Sequence, residues 1–469
     1  MAKLLNSGRD RIDFEHTDIS RLFVGIFVPT LTGLLFGGIF NIADGIFVGR
    51  GVGSQALAAV NLTGPLYLIC TGIGLMLGAG VSVVAAVHLA QGNLKAARIC
   101  STQALAASFL LSLIVSVLSL AATDQVSLAL GCSEELLPMM REYVVWLGPT
   151  FCCMSFMMTG QFVIRLDGSP RYAMYVSVFS SLMNILLDWV FVFPMGMGLM
   201  GAALASSATL VLAALMVLWY MAFRTRSLSL YRLRLTLKSL LLTLRNLAYM
   251  ARLGFPTLVG EAAIGIMMFV GNNVFMRMLR EEGVAAFGIA CYLLPLVFMF
   301  GNAIAQSALP IISYSRGKGD FERVAAAIRF ASTAALASGI VLTALSVGLG
   351  DEIVGLFVSR KAEAYSIACY GLPLFSLGFL FFTVNIALIG IYQAMARDAE
   401  AVVFMLLRGA ALLVPSLVLL PRALGVPGLW LAVPLSELLT FAAILLRSMR
   451  YIRLWRSGRR GSGDAAAGA

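Results

Sequence analysis

The sequence predicts an all-α integral membrane protein of twelve transmembrane helices, in two six-helix lobes related by a parallel internal repeat. Three observations support this prediction: long apolar runs, a one-sided distribution of basic residues, and a repeat at a constant offset. Of the 469 residues, 60% are hydrophobic and only 12% are charged, and the mean hydropathy is +0.92. Water-soluble domains of this size do not carry such a composition.

The apolar runs have the length of transmembrane helices. About 20 helical residues cross a hydrocarbon core of roughly 30 Å, and the runs lack the alternation of barrel strands. Since backbone groups in lipid must be hydrogen-bonded within the protein, we expect helices. The predicted spans, numbered 1 to 12 in chain order, are approximately 19–48, 56–84, 100–122, 140–164, 171–194, 198–223, 247–277, 285–310, 322–349, 365–391, 399–421 and 426–446.

The basic residues predict which side of the membrane the termini occupy. An even number of spans places both termini on one side. Of the 34 basic residues, 27 fall at the termini or in loops after even-numbered spans, with Arg21, Arg252, Arg329 and Arg408 grouped with their nearest loops. The other seven are Arg50, Arg141, Arg277, Arg280, Arg360, Lys361 and Arg422. By the positive-inside rule both termini are cytoplasmic, so the net charge of +11 indicates topology rather than nucleic-acid binding.

A shift of 227 residues aligns the chain with itself. Three pairs of segments match: Pro29-Thr30-Leu31-x-Gly33 with Pro256-Thr257-Leu258-x-Gly260, Gly92-Asn93 with Gly319-Asp320, and Pro194-x-x-x-Gly198-x-x-Gly201 with Pro421-x-x-x-Gly425-x-x-Gly428. The same offset holds without a gap from Pro29 to Gly201, which indicates a duplicated unit. Because six spans separate the copies, both have the same orientation, as expected of lobes related by an axis along the membrane normal.

The repeat divides the chain into five predicted parts. They are a cytoplasmic N-terminal segment (1–18), the first lobe (19–223), a cytoplasmic linker (224–246), the second lobe (247–447), and a basic, then disordered, cytoplasmic tail (448–469). The linker interleaves basic residues with leucines, which favours an amphipathic helix on the anionic leaflet over an RNA-binding segment. We expect no cleavable signal, because the first eighteen residues are polar and the first apolar run already has spanning length.

The residue types needed for catalysis or metal binding are sparse. The seven cysteines show no C-x-x-C spacing, and the two histidines, His16 and His88, lie near the predicted cytoplasmic side. We therefore expect cysteines that pack as small apolar residues, and no metal site. An intramembrane enzyme would need a clustered nucleophile, base or metal, so we expect a protein that is not an enzyme and needs no cofactor.

Two acidic residues lie at matched depths in the first lobe. Asp44 is six residues before Arg50 in span 1, and Asp188 is six residues before Pro194 in span 5. Both positions are about 9 Å below the outer boundary, at 1.5 Å per residue. Asn184 lies one turn deeper on the same helix face as Asp188. Charges inside spans cost roughly 2.5–3.5 kcal/mol on insertion scales, which makes them candidate functional residues.

Two interpretations of these residues are open. Oxygen ligands suit a proton or Na⁺, and a medium of low dielectric constant favours the protonated carboxyl. Alternatively, Asp44 and Asp188 cap helix ends near the interface. We favour the H⁺ or Na⁺ site, because interfacial acids usually accompany a base and Arg50 already lies at the surface.

A second set of charges lies in the second lobe. Glu261, Arg408 and Glu437 are about 13–17 Å from the cytoplasmic boundary in spans 7, 11 and 12. An ion pair between Arg408 and one glutamate would hold this lobe together, since unpaired charge at mid-membrane is costly. The other glutamate is then left over as a candidate cation contact.

The absence of a loop for ATP hydrolysis predicts the energy source that transport by this chain would use. The stretch GIGLMLGAG, residues 72–80, lies inside span 2, where close helix packing or local unwinding explains it better than nucleotide binding. The chain contains no G-x-x-x-x-G-K-[ST] loop for ATP hydrolysis. Transport would therefore be coupled to an ion gradient.

Several motifs, in order, resemble the MATE (multidrug and toxic compound extrusion) transporters, particularly the prokaryotic DinF-like and related branch. They are NIADGIFVGRGVGSQALAAVNLTGPL from span 1 onward, RLDGSPRYAM between spans 4 and 5, NILLDWVFVFPMGMGLMGAALA from span 5 onward, and GKGD after span 8. The resemblance covers essentially the whole chain.

The resemblance implies a secondary antiporter that exports amphipathic, often cationic compounds in exchange for H⁺ or Na⁺. In similar proteins a span 1 aspartate and a span 5 asparagine–aspartate pair form the cation site, and Asp44, Asn184 and Asp188 occupy those positions. The other prokaryotic branch carries acids on spans 7 and 10. Glu261 is only loosely comparable with these, and span 10 here has no acid.

The expected mechanism is alternating access, in which cation binding changes the packing of spans 1 and 5. Pro29 and Pro256, at equivalent points of spans 1 and 7, are either bend points or tolerated prolines whose freed carbonyls bind to neighbours. The 23 methionines and 29 phenylalanines suit an adaptable apolar cavity without identifying its lining.

The partners expected from these features are small amphipathic molecules and the lipid bilayer. We expect a monomer in a bacterial-type plasma (inner) membrane, and no nucleic acid. The alternative function is a flippase for a lipid-linked oligosaccharide of the same superfamily. Such a flippase would need a strongly cationic cavity, whereas Arg408 is the one basic residue in the interior of the predicted spans.

Overall fold

The computed structural model describes residues 13–130, 132, 134, 136–233, 236–358 and 360–456. Within these ranges the protein is built from helices and contains no strand. The predictions for residues 1–12 and 457–469, including the disordered tail, lie outside the described residues.

Twelve of the described helices are long and apolar enough to cross a membrane, as predicted. The spans are Ile19–Gly49, Gly64–Ala90, Leu94–Ala121, Leu137–Leu166, Pro170–Val192, Gly198–Phe223, Leu237–Arg280, Glu282–Lys318, Phe321–Gly348, Glu363–Ala394, Asp398–Leu424 and Val426–Met449. These keep the numbers 1 to 12. The helix of span 1 continues to Gly51 and that of span 12 to Arg456.

Shorter helical elements interrupt or connect the spans. Span 4 contains a 3₁₀ turn, Gly148–Thr150, and span 11 contains a π-helical turn, Leu407–Ala411. Three short helices lie between spans: Ser54–Leu62, Thr123–Ala129 and Gly350–Phe357. Spans 7 and 8 meet at Arg280, whose φ of 55° and ψ of −150° break the helix.

Span 2 begins later than predicted. The apolar run starting at residue 56 contains two helices rather than one, Ser54–Leu62 and Gly64–Ala90. Pro65 stands in the first turn of the second helix, where the missing N–H of proline leaves no helical hydrogen bond unmade. Hydrophobicity does not distinguish these two helices, because both are apolar.

The leucine pattern predicted one amphipathic helix over the linker, but the linker does not form one continuous helix. Residues 228–233 are not helical, and the helix begins at Leu237 and continues into span 7. The Asp167 carboxylate explains the difference. It accepts hydrogen bonds from the backbone N–H groups of Arg226, Ser227 and Leu228 at 2.8–2.9 Å, so these amides bind a side chain instead of a helical carbonyl.

The 227-residue repeat is visible in the backbone. Gly92 and Gly319, which follow spans 2 and 8, both have a φ of 75°. The next residues, Asn93 and Asp320, accept hydrogen bonds from the N–H three positions on, at 3.1 and 3.0 Å. The same left-handed glycine and helix cap therefore start spans 3 and 9.

The chain forms two compact units. Unit 1 comprises Met1–Ala262, Phe298–Ala335 and Ile389–Val402, and unit 2 comprises Ala263–Val297, Leu336–Leu388 and Val403–Ala469. These boundaries cut through spans 7 to 11 and differ from the predicted lobes. We call the part of unit 1 that carries residues 13–18, the linker and the turns after spans 2, 4, 8 and 10 the basic end, which the charge distribution predicts to be cytoplasmic.

Each unit has its own packed interior. In unit 1 a cluster of buried side chains from spans 2 to 6 includes Met250 at the start of span 7. In unit 2 the rings of Phe275, Phe287, Phe375 and Trp430 form a contiguous set, with neighbouring centroids 4.4–6.3 Å apart.

The helices run through both candidate bend prolines, Pro29 and Pro256. Near the second, the Gln393 amide donates to the carbonyl oxygen of Leu253 at 3.0 Å. Leu253 follows Arg252, whose carbonyl oxygen is the one left without a helical donor because Pro256 has no N–H. Bending at either proline remains a prediction.

Candidate cation-coupling site

Close packing of spans 1 and 5 positions the candidate site. A Cβ atom added to Gly33 would lie 3.3 Å from the Ser177 Cβ, and one added to Gly51 would lie 2.3 Å from a methyl group of Val192. These glycines let the two helices approach each other both below and above the acids. The contact brings Asp44 of span 1 beside Asp188 of span 5.

The two carboxyl groups are near enough to interact with each other. Asp188 is fully buried, Asn184 is 1% exposed, and Asp44 is partly buried. The Asn184 amide nitrogen donates to the hydroxyls of Ser206 and Thr209 in span 6, at 3.3 and 3.4 Å. These contacts fix the amide and leave its carbonyl oxygen as an acceptor.

Four buried acceptor oxygens in this cluster have no donor among the described residues. They are Asp44 Oδ1, Asn184 Oδ1, Asp188 Oδ1 and Asp188 Oδ2. Buried acceptors without donors are costly, and a set of oxygens can be satisfied by a proton or by a hard cation. A capping carboxylate would instead accept backbone N–H groups. The geometry therefore favours a cation site over the helix-cap interpretation.

Two tyrosines also belong to the surroundings of the acids, and the sequence reasoning missed them. Tyr67 of span 2 lies within electrostatic range of Asp44 and Glu261, and buried Tyr143 of span 4 lies within range of Asp44 and Asp188. Tyrosine is common in spans, so the sequence carried no signal for either. The i, i+3 pair Ser206 and Thr209 in span 6 was a weak signal, since both face span 5.

Two of the three charges of the second predicted lobe pair with each other, and the third does not. Arg408 and Glu437 form an ion pair with a nitrogen–oxygen distance of 2.9 Å. Glu261 is partly buried, and no described residue forms a salt bridge or hydrogen bond with it.

The Arg408–Glu437 pair is closely enclosed. The Asn385 amide donates to a Glu437 carboxylate oxygen at 2.8 Å, and the Arg408 guanidinium lies over the Phe382 ring, 3.9 Å from its centroid. Arg408 lies in the π-helical turn of span 11. Such turns widen the helix locally and re-aim a side chain. Asn385 and Phe382 were not predicted.

The expectation that Arg408 is the one basic residue inside the spans was wrong. Arg165 is 4% exposed and lies within span 4, which continues two residues beyond its predicted end. A charge this close to a helix end looks like a loop residue in the sequence, and only packing against span 8 buries it. Among the described residues, no group of three or more His, Cys, Asp or Glu side chains could bind a metal ion.

A family model described as MatE matches residues 29–190 and 256–418, two segments that begin at the offset of the internal repeat. The chain belongs to the MATE family. As a MATE protein it is a multi-pass membrane transporter rather than an enzyme.

Relatives and solved structures cover nearly the whole chain. The multidrug export protein MepA of Staphylococcus aureus is 24% identical over 447 residues, covering 92% of this chain and 94% of the relative. MepA of Staphylococcus saprophyticus is 22% identical over 435 residues, with the same coverage.

Two solved structures share the fold. One is a multidrug resistance MATE family transporter of the MOP superfamily in an outward-facing conformation, with a TM-score of 0.85 and 22% identity, covering 94% of this chain and 98% of that one. The other is a MOP superfamily transporter from Pyrococcus furiosus, with a TM-score of 0.85, 21% identity and the same coverage.

Proposed function

We propose that this MATE protein exports amphipathic, cationic compounds in exchange for H⁺ or Na⁺ by alternating access. Asp44, Asn184 and Asp188 form the coupling site in this proposal. The observation that carries it is the set of four buried acceptor oxygens without donors, shared between spans 1 and 5. The multidrug export relatives support the export of drugs.

The chemistry of the site couples charge to helix packing. Two adjacent carboxylates in a medium of low dielectric constant repel each other, so they cannot both be ionised without cost. Because one carboxyl group belongs to span 1 and the other to span 5, binding of a cation replaces repulsion by attraction between the two helices. A cation that binds one packing of these spans better than the other shifts the population of transporter conformations.

A proton is one candidate coupling ion for this pair of carboxyl groups. A hydrogen bond between two carboxyl groups requires that one of them be protonated. Na⁺ could use the same oxygens, with Asn184 Oδ1 as a neutral ligand, so the two ions must be compared directly.

The proposed setting is a bacterial-type plasma membrane, with both termini cytoplasmic and the protein acting as a monomer. Asp44 and Asp188 would then be reached from the outer side. The flippase alternative is less well supported, because a pyrophosphate needs several free cations. Of the two buried arginines among the described residues, Arg408 is already paired with Glu437.

The test is export of a cationic dye from proteoliposomes under an imposed pH gradient or an imposed Na⁺ gradient. We expect Asp44→Asn and Asp188→Asn each to lower gradient-driven export at least about tenfold, a loss of roughly 1.4 kcal/mol of coupling. Asp351→Asn, at an exposed acid, is the matched control and should export as the wild type does. The gradient that drives wild-type export identifies the ion.

Unchanged export by both variants would show that these acids are helix caps. Glu261, which shares Tyr67 as a neighbour with Asp44, would then be the next candidate.

A further inference from the structure

Arg165 is a buried cation that the coupling mechanism does not use. It is the penultimate residue of the helix that ends span 4, at the basic end of unit 1. One terminal nitrogen, Nη1, donates to Gln306 Oε1 of span 8 at 2.7 Å, and the other, Nη2, donates to Gln161 Oε1 of span 4 at 2.9 Å. Its guanidinium also lies 5.5 Å from the centroid of the Phe162 ring.

No carboxylate among the described residues pairs with this guanidinium. None of the salt bridges among the described residues includes Arg165, and its Nε is buried without an acceptor. Asp167 follows two positions later but is occupied elsewhere. Besides three linker amides, its carboxylate accepts the Tyr220 hydroxyl at 2.8 Å. Buried charges are normally paired, so an unpaired arginine in a packed interior needs an explanation.

The position of Arg165 relates it to the transport route. Span 4 belongs to the first predicted lobe and span 8 to the second, so the bond from Arg165 to Gln306 crosses the boundary between the predicted lobes. Alternating access requires this boundary to open at the basic end. In the alternating access proposed above, opening of this boundary would break the contact with Gln306 and expose the guanidinium to the compartment from which an exporter collects its substrate.

We propose that Arg165 binds a carboxylate carried by the transported compounds. The inference rests on the proposed export function and defines its substrates further, as amphiphiles with an acidic group in addition to their cationic one. A guanidinium binds a carboxylate in a two-point arrangement, and the charge-assisted hydrogen bonds are stronger than those to the neutral carbonyls of Gln161 and Gln306. Nε, which lacks an acceptor in the closed arrangement, is one of the two donors.

Gln161 and Gln306 are the alternative acceptors in this scheme. After the substrate has left, their carbonyl oxygens take the two terminal nitrogens and allow the boundary to close over the charge. A permanent carboxylate partner would have occupied the site in every conformation. Neutral glutamines satisfy the donors without competing strongly with an anionic ligand.

The test uses a pair of dyes that differ in one charge. Rhodamine B carries a free carboxylate, and its ethyl ester is a cation of almost the same shape. Equilibrium binding of each dye to purified, full-length protein is measured by fluorescence polarisation, and export is measured separately in proteoliposomes. The proteins compared are the wild type, Arg165→Gln, Arg165→Lys and Arg329→Gln, an exposed arginine of span 9 that serves as the control.

We expect Arg165→Gln to weaken rhodamine B binding at least about tenfold while ester binding stays within about twofold. Arg165→Lys keeps the charge but not the two-point geometry, so it should be intermediate. The ester shows in the same sample that the variant is folded. Equal loss of both dyes, no loss of either, or absence of rhodamine B binding by the wild type would overturn the inference. Export of neither dye by the wild type would instead count against the proposed function, because binding is measured independently.

Discussion

Arg408 and Glu437 are kept inside unit 2 because each is the counter-charge of the other. Both side chains are almost completely buried, at 3% exposure, and Asn385 supplies a further donor to the carboxylate. Removing one partner of such a pair leaves the other as an uncompensated buried charge, which costs more than the intact pair contributes. Substitution of either residue alone should therefore destabilise unit 2, although the intact pair adds little net stability.

We expect Glu437→Gln to lower the free energy of unfolding by about 3–5 kcal/mol, because Arg408 loses its counter-charge. Replacing both residues with methionine removes both charges, so the double variant should be closer to the wild type than Glu437→Gln is. Thermal unfolding in detergent measures both effects. Glu322→Gln, at an exposed acid, is the control, and equal stability of the two single variants would refute the expectation.

At the residue scale, the sequence was sufficient to predict how deep a side chain lies along a membrane-spanning helix. The rise of a helix fixes how far Asp44 and Asp188 lie below the outer boundary, so their matched depth could be expected, whereas the packing of span 1 against span 5 could not. Arg165 could not be recognised, because a charge next to a helix end is buried or exposed according to its neighbours. Asn385 was equally invisible, since its role depends on a partner 52 positions away.

Among the elements, spans 2 and 7 cross with their backbones in contact. A Cβ atom added to Gly254 would lie 1.8 Å from the carbonyl oxygen of Met76, and one added to Gly80 would lie 1.9 Å from that of Met250. Backbone atoms cannot give way as a flexible side chain can. The glycine-rich stretch of span 2, which superficially resembles a nucleotide-binding loop, thus serves close helix packing.

We expect Gly254→Ala to lower dye export at least about tenfold, because the methyl group separates two helices that must meet at the basic end. Gly265→Ala, eleven positions further along span 7, is the matched control, since a Cβ atom there meets nothing within 4 Å. The comparison is made in proteoliposomes at equal protein content. Equal export by the two variants would mean that this crossing can loosen without consequence.

Element positions were predictable wherever apolar length alone decides them. All twelve spans were found, because a helix that crosses lipid needs a run of that length. The start of span 2 and the linker were not, for two different reasons. Pro65 divides an apolar run that hydrophobicity reads as continuous, and Asp167 binds linker amides some 60 positions away in the sequence.

On the scale of the whole molecule, the first helix of each predicted lobe is held at its base by the other lobe. The segment before span 1, Asp13–Thr17, binds three side chains around the turn after span 8: Arg323 donates to the carbonyls of Phe14 and Thr17, Lys318 pairs with Glu15, and Tyr314 packs on the Phe14 ring. The start of span 7 binds span 3 through Gln103, which contacts both Thr243 and Asn246. The two sets of contacts, at the base of span 1 and at the base of span 7, thus follow the internal repeat of the chain.

We expect Arg323→Gln to favour opening of the basic end, because two hydrogen bonds of 2.9 Å to backbone carbonyls are lost. Charge-assisted hydrogen bonds of this kind are each worth about 1.5–3 kcal/mol, enough to shift a two-state population about tenfold or more. Distances between spin labels at Gln91→Cys and Ala325→Cys, in a background lacking native cysteines, should lengthen. Arg329→Gln is the control, and identical distance distributions in the two variants would exclude the effect.

The binding of linker amides by Asp167 limits how far the base of span 7 can travel. Leu228 is held by Asp167, and the Tyr231 N–H donates to Thr102 at 2.9 Å, so the linker is attached to the first predicted lobe as far as Tyr231. From there to Leu237, where the helix begins, a fully extended backbone reaches about 20 Å. The two predicted lobes are thus joined by a short tether, and the start of the span 7 helix can move no further than this length from Tyr231.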